Sequence, residues 1–331
     1  MVYVGFGARN ITAIQSFAAP NQWFRAVITL RIAIASSSRV AFPTIEAIEN
    51  SEHELIGFIT TPDAPAGRGR ALTPNEFANW ASNTGREIAK PIDFAEMTDL
   101  ISELSPDLII TIAYGKLIPE PLLLQVKNGW LNLHFSLLPK WRGAAPVQWA
   151  LKSGDNTTGV TVFQLDKGMD TGPIYAIREL KISESATTDS LLTELSVLGS
   201  AAVLTAIDSI LSNIAPVKQI LAGSIAPKIS KIDAAINWSS TCREVDCHIR
   251  AMVSKPGAWT RVGGVRLVIN SARIINGEYR AGELSKIGNA IVIGTSDGAM
   301  ELAEVTPEGK RVMSGAEWFR GARIEIGSIC E

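Results

Sequence analysis

The sequence predicts an α/β protein, with a mostly parallel sheet carrying helices on both faces, followed by a small β-rich domain. Three observations predict it. From Arg31 onward β-type and helix-type segments alternate, the order that builds parallel sheets with crossover helices. Leu108–Ala113 is a continuous Ile-rich apolar run, as expected of a strand buried on both faces. Beyond Lys255-Pro256-Gly257 short β-like runs are spaced by Gly and Asn turns, the pattern of a small barrel or sandwich. Of 331 residues, 46% are hydrophobic and 19% charged, which excludes wholesale disorder. The formal net charge of -2, taken whole, points to no polyanion partner. Three scattered cysteines, Cys242, Cys247 and Cys330, make no disulfide framework and suit a reducing compartment. No uninterrupted apolar run reaches the roughly 18 residues of a membrane span, so none is expected.

Residues 1–29 hold Arg9 and Arg25 but no carboxylate, the first being Glu46. They read as an extension, disordered or upstream of the true start, with an organellar transit peptide as the alternative. Val4-Gly5-Phe6-Gly7 begins like a dinucleotide fingerprint, but Asn10 replaces the third glycine and no acidic residue follows at the right distance. From there, Arg31–Ala35 reads as a strand, Phe42–Asn50 as a helix and Glu54–Thr60 as a strand. Pro74–Thr84 suits a helix opened by proline. Trp130–His134 and Val160–Leu165 are further strands, and Ser185–Ser212 is a long apolar helix with Ser183 or Ser185 as its cap. Residues 213–231 read as a linker, and Val265–Asn270, Ala290–Ile293 and Ala299–Val305 as strands of the second domain.

Only three histidines are present. His53 falls in a helix-to-strand turn and reads as a solvated surface residue, while His248 lies in a helical stretch where packing is the default. Cys242, Cys247 and His248 lack the spacing and the fourth ligand of a zinc site, and no metal is expected. His134 ends its strand, and because side chains two apart share a face, Asn132 points the same way. Ligands of such sheets bind at the carboxyl ends of strands. There an amide could stabilise an oxyanion and a neutral imidazole could take a proton. An incidental polar pair would have the same spacing. Asp170, between Gly168 and Gly172 in a tight loop after another strand, could orient an imidazole, though a plain turn would look similar. Gly294-Thr295-Ser296-Asp297-Gly298 matches a nucleophile elbow, but no helix or histidine follows it.

The stretch from Asn132 through His134, Ser136, Pro139, Trp141-Arg142-Gly143 and Pro146 to Gln148 resembles the signature of the methionyl-tRNA formyltransferase family, a branch of the folate-dependent formyltransferases. Gly154-Asp155, Thr158-Gly159-Val160-Thr161 and Asp166 to Gly172 follow in family order, as do Lys228 to Lys231, Pro256 to Trp259 and Pro307 to Lys310. The resemblance runs from about Leu30 nearly to the end. One departure is Ser36-Ser37-Ser38-Arg39, where the family has a Gly-Thr-Pro turn. The resemblance implies a Rossmann-like formyltransferase domain over 30–212 and an OB-like β-barrel over 232–331 that binds tRNA. It implies 10-formyltetrahydrofolate as donor and co-substrate, initiator methionyl-tRNA as acceptor, no metal, no membrane, a monomer and a bacterial cytoplasm.

By the same resemblance Asn132 would hold the formyl oxygen, His134 would take the amine proton and Asp170 would support His134. Ser136, Leu137, Leu138 and Pro139 would border the folate, with main-chain groups around Tyr114 seating its ring. Arg68 would reach the tRNA acceptor end, and Lys228, Lys231, Lys310 and Arg311 would bind the tRNA further along. From Lys218 onward 15 basic residues face 12 acidic ones, a +3 balance that leaves -5 for the remainder, so the near-neutral total conceals a bias compatible with phosphate binding. Two other readings stay open, formyl transfer to an amino-sugar nucleotide and a silent tRNA-binding protein.

Overall fold

The computed structural model describes residues 28–66, 70–220 and 222–331. The expected extension falls outside them as far as residue 27, and so does Arg68. The chain enters through β1 (Arg31–Ser36), a 3-10 turn (Arg39–Ala41), α1 (Phe42–Glu49) and β2 (Glu54–Ile59). A small hairpin of β3 (Ala64–Ala66) and β4 (Ala71–Thr73) precedes α2 (Glu76–Asn83) and α3 (Phe94–Leu104). Then come β5 (Leu108–Ile112), α4 (Glu120–Gln125), β6 (Trp130–His134), α5 (Pro146–Lys152), β7 (Thr157–Gln164), β8 (Ile174–Lys181) and α6 (Thr188–Leu211).

The six-stranded sheet has the order β2-β1-β5-β6-β7-β8. The first four strands are parallel and the last two antiparallel. All five residues of β5 are buried, with Leu108, Ile110 and Ile112 in one apolar cluster and Ile109 in the other. That is why its sequence is continuous rather than alternating. The chain leaves β1 to one side for β2 and returns on the other side as β5, so the carboxyl ends of β1 and β5 flank the switch point where such sheets open a crevice. The α6 helix is 24 residues long and apolar enough, by length and composition, to cross a membrane. Here Leu191, Leu195, Ala202, Val203, Ala206 and Ile207 lie in the main core, against α1, β7 and β8.

Several boundaries move. The α6 cap is Thr187, not Ser183 or Ser185, because its hydroxyl accepts from Ser190 N–H and Ser190 answers with its own hydroxyl. Pro74 precedes rather than opens α2, whose cap is Asn75. His53 is buried, with the Leu30 N–H donating to its Nδ1 (3.4 Å), contrary to the solvated surface residue expected. Sequence reasoning passed over α3, α4, α5 and β8. The last is an edge strand with exposed Arg178 and Glu179, and charge on an edge hides the strand pattern while protecting the edge.

The second part holds α7 (Cys242–Met252), β9 (Trp259–Val262), β10 (Val265–Ile275), β11 (Leu284–Ile287), β12 (Ala290–Gly294), β13 (Ala299–Pro307), β14 (Met313–Ser314) and α8 (Gly315–Ala322). Its antiparallel sheet runs β11-β12-β13-β10-β9, with β14 on β13. The sheet curls into a half-barrel in which the chain end spans the two edge strands, Ile329 bridging to Glu283 and Cys330 to Val262. The nucleophile-elbow lookalike is the turn between β12 and β13. Asp297 there accepts the Cys242 N–H at the start of α7 (2.7 Å), which gives the motif a capping role. The two parts meet where α5 packs on α7, with Lys152 Nζ donating to the Asp233 carbonyl (2.9 Å) and Thr188 to the Ala251 carbonyl (2.7 Å).

Candidate active site

The β6 strand places the candidate groups. Leu131 and Leu133 fill the main core on one face, so Asn132 and His134 are driven to the other by the two-residue period of the strand. Asn132 pairs in register with Thr111 of β5. The buried Thr111 hydroxyl lies 2.8 Å from Asn132 Oδ1 and 3.0 Å from the Leu131 carbonyl. The hydroxyl has one proton to give, and with it on the nearer Oδ1 the Asn132 NH2 points away from Thr111, with no partner among the described residues.

His134 is buried. Its Nε2 lies 2.9 Å from the Trp141 carbonyl, which can only accept. Nε2 therefore carries the proton in the neutral ring, and Nδ1 keeps the lone pair. Nδ1 stands 3.7 Å from Asp170 Oδ2. Burial pushes the His134 pKa below its ordinary 6.5, outweighing the Asp170 charge and the Trp141 carbonyl, which both raise it. The ring is thus neutral near pH 7, with an anion placed to receive the imidazolium once it forms.

Asp170 is set by the loop after β7. Asp166 Oδ1 accepts from the Gly168 N–H (2.9 Å) and the Thr171 hydroxyl (2.7 Å), tightening the turn. Asp170 Oδ2 accepts the Gly143 N–H at 2.7 Å, which joins this loop to the one after β6. Gly143 has φ +122°, and a Cβ there would meet the Ala226 carbonyl at 2.6 Å, so only glycine lets its N–H reach the carboxylate. Ala113, Trp141 and Asp170, with φ of 49°, 62° and 54°, are non-glycine residues in the left-handed region. Such strain gathers at functional sites; Ala113 and Trp141 follow the carboxyl ends of β5 and β6, while Asp170 lies in the loop after the antiparallel β7 and comes within 3.7 Å of His134.

The other expected site residues divide. Leu137 and Pro139 are half-exposed on the loop after β6. Ser136 is fully buried, and its hydroxyl donates to the Lys140 carbonyl (2.6 Å), so it shapes the loop instead of presenting a side chain. Leu138 is buried too, its N–H donating to Thr161 Oγ1 (3.1 Å). The Tyr114 side chain lies inside the second apolar cluster with Ile118, Leu122 and Trp130, where burial pushes its hydroxyl up to about 12; only its main chain is free to meet a ligand. Along the departure at Ser36-Ser37-Ser38, the Ser37 N–H and hydroxyl both donate to the Ala113 carbonyl (3.3 and 2.7 Å), so β1 and β5 stay tied at the crevice. Lys228, Lys231, Lys310 and Arg311 are all exposed.

Sequence reasoning missed four contributors: Thr111, the Trp141 carbonyl, the Gly143 N–H and Gln219, whose Nε2 donates to the carbonyls of Asp170 (3.0 Å) and Gly172 (2.8 Å). Trp141 and Gly143 lay inside the recognised motif, but their part is played by backbone atoms, which residue types do not reveal. For Gln219 no sequence signal existed.

The Formyl transferase family signature matches residues 30–207, and that of its C-terminal domain residues 228–323. The methionyl-tRNA formyltransferase of Corynebacterium diphtheriae is 38% identical over 309 residues, covering 91% of this chain and 99% of that one. That of Streptomyces griseus is 39% identical over 308 residues, with the same coverage. Among solved structures, an N-formyltransferase from Helicobacter canadensis in complex with folinic acid and dTDP-3-aminofucose superposes with TM-score 0.60 at 20% identity, covering 83% of this chain and 99% of that one. HypX from Aquifex aeolicus in complex with tetrahydrofolic acid gives 0.61 at 19%, covering 88% and 47%. These two share the fold, whereas the bacterial relatives match in sequence along nearly their whole length. The chain belongs to the formyl transferase family, in its methionyl-tRNA formyltransferase branch.

Proposed function

We propose that this chain transfers the formyl group of 10-formyltetrahydrofolate to the α-amino group of methionine esterified to initiator tRNA, with Asn132, His134 and Asp170 as the reacting set. The observation that carries the reading is their convergence: an amide NH2 without a partner among the described residues and a neutral imidazole on one strand face, with a carboxylate 3.7 Å from the other ring nitrogen.

In this mechanism the amine nitrogen attacks the formyl carbon. The developing oxyanion is stabilised by the Asn132 NH2, already oriented by Thr111. His134 Nδ1 takes the proton from the attacking nitrogen, and the imidazolium is held by Asp170. The C–N10 bond then breaks as the same proton passes to the folate nitrogen, returning His134 to its neutral form. No proton is gained or lost overall. Leu137, Pro139 and the Tyr114 main chain border the folate. Lys228, Lys231, Lys310, Arg311 and Arg68 bind tRNA phosphates, a role supported for the first four by their exposure. The chain acts as a monomer in the bacterial cytoplasm, with residues 30–212 as the catalytic domain, 213–231 as the connection and 232–331 as the tRNA-binding domain.

The test is a formylation assay with 10-formyltetrahydrofolate and two acceptors, charged initiator tRNA and an amino-sugar nucleotide. Transfer to the charged tRNA alone is expected. Preference for the sugar nucleotide would move the chain to the other acceptor class, and binding of tRNA without turnover would leave it a silent binder.

A further inference from the structure

The connection between the two domains does not hang free. Val217 bridges to Ile174, each N–H donating to the other's carbonyl (2.8 and 2.7 Å). Two residues on, Gln219 Nε2 donates to the Asp170 and Gly172 carbonyls, while its buried Oε1 has no partner among the described residues. The loop after β6 is gripped in the same way. The Trp141 N–H donates to Ser224 Oγ (3.0 Å), the Arg142 N–H to the Ser224 carbonyl (2.9 Å), and the Ala226 N–H to the Arg142 carbonyl (2.6 Å). A Cβ at Gly223 would run into the Pro139 carbonyl, so the segment lies as close to this loop as a backbone can.

Both loops gripped here carry the groups that set His134. Trp141 supplies the carbonyl at Nε2 and Asp170 the carboxylate at Nδ1, and each holds a left-handed backbone that the isolated residue disfavours. Both hydrogens of the Gln219 amide are spent on two carbonyls of one loop, and that loop is the one that carries Asp170.

We propose that the strap formed by residues 217–220 and 222–226 belongs to the catalytic apparatus, with Gln219 and Ser224 as positioning residues that hold Asp170 and Trp141, and through them His134, in the geometry for proton transfer. The proposal rests on the reading of His134 and Asp170 given above. It assigns a role in the reaction to a segment outside the spans matched by both family signatures, 30–207 and 228–323.

The experiment uses the full chain and the variants Gln219→Leu, Ser224→Ala, Ser224→Thr and His134→Asn. Each is assayed for formylation of charged initiator tRNA, and the imidazole resonances are titrated by NMR, where three histidines are few enough to resolve. Gln219→Leu is expected to lower kcat by about tenfold, with the KM for tRNA within about twofold of the parent. His134 should also titrate at lower pH as the Asp170 charge recedes. Ser224→Ala should lower kcat less, and Ser224→Thr, which keeps the accepting oxygen, should restore it. If Gln219→Leu fails to fold, the Ser224 pair decides. Parental kcat in Gln219→Leu or Ser224→Ala, a change confined to KM, a lowered kcat with an unmoved His134 titration, or failure of Ser224→Thr to rescue overturns the strap. Full turnover in His134→Asn would instead overturn the reading of the pair itself.

Discussion

The two halves of the molecule deal with polar groups in opposite ways. Around the end of β6, a His134 kept neutral by burial meets the left-handed Trp141 and Asp170, beside an Asn132 whose NH2 has no partner among the described residues. In the half-barrel several polar groups close on one another. Trp238 Nε1 donates to Thr260 Oγ1 (2.9 Å), whose hydroxyl donates to the Glu331 carbonyl (2.8 Å). Thr241 and Glu244 form a reciprocal cap on α7, and Ser314 and Glu317 do the same on α8. Its one non-glycine residue with positive φ, among those described, is Arg323, which terminates α8. Backbone strain gathered around the imidazole marks the half where chemistry happens, whereas reciprocal helix caps mark a platform, even though His248 Nε2 and Arg266 Nε there are buried without a partner among the described residues.

The sharpest way to break this contrast is at the imidazole. His134→Ala is expected to lower kcat by about 10²- to 10⁴-fold, with circular dichroism and tRNA binding unchanged; parental turnover would remove the base. Loss of the Asn132 donor in Asn132→Ala should cost about 10²- to 10³-fold in kcat, and Thr111→Val, which only frees the amide to rotate, should cost less. If the Thr111 effect equalled that of Asn132, the hydroxyl would be acting directly.

The acid limb of kcat/KM follows from the lowered His134 pKa. The base works unprotonated, so activity should persist below pH 6.5 and fall only as pH drops through the depressed value. Stability carries the same sign. His248 is depressed as well, again chiefly by burial. Below about 6.5 the unfolded chain takes up protons that the folded one refuses, so stability is full above that pH and declines beneath it. A thermal-melt series from pH 7.5 to 5, flat in the parent, would refute the depression of both.

On the platform side the effects should be smaller and of another kind. Charge-neutralising Lys228, Lys231, Lys310 or Arg311 should raise the KM for tRNA and leave kcat intact, with the log–log salt slope shallower by about 1 for each phosphate no longer neutralised. Thr241→Ala should lower stability by about 1 kcal/mol with kcat unchanged. A kcat effect there would show that the platform shapes the site after all.

What could be read in the sequence follows the same division. The face shared by Asn132 and His134 was legible because a strand has a fixed period and its neighbours Leu131 and Leu133 are unmistakably apolar. The parallel sheet was legible from alternation and from the buried run of β5. The 3.7 Å separation of His134 and Asp170 was not, since it depends on β7 lying antiparallel beside β6, a pairing that no local pattern encodes. For Ser136 and Tyr114 residue type does not tell which atoms are offered: the Ser136 hydroxyl is spent within its own loop and the Tyr114 ring packs in the second cluster. His53 misled because polar neighbours in sequence do not keep an imidazole from folding inward.

The residue whose carbonyl fixes His134 is a tryptophan. Its ring stacks on Trp149 at 6.4 Å between centroids, and its indole N–H donates to Asp155 (2.8 Å). Trp149 in turn donates to the Pro227 carbonyl, one residue past the strap. An indole pair so tethered is a built-in optical gauge. Any substrate that shifts the loop or the connection changes the stacking, and emission from this pair, isolated by replacing the other six tryptophans, would follow site assembly during a single turnover without an added dye.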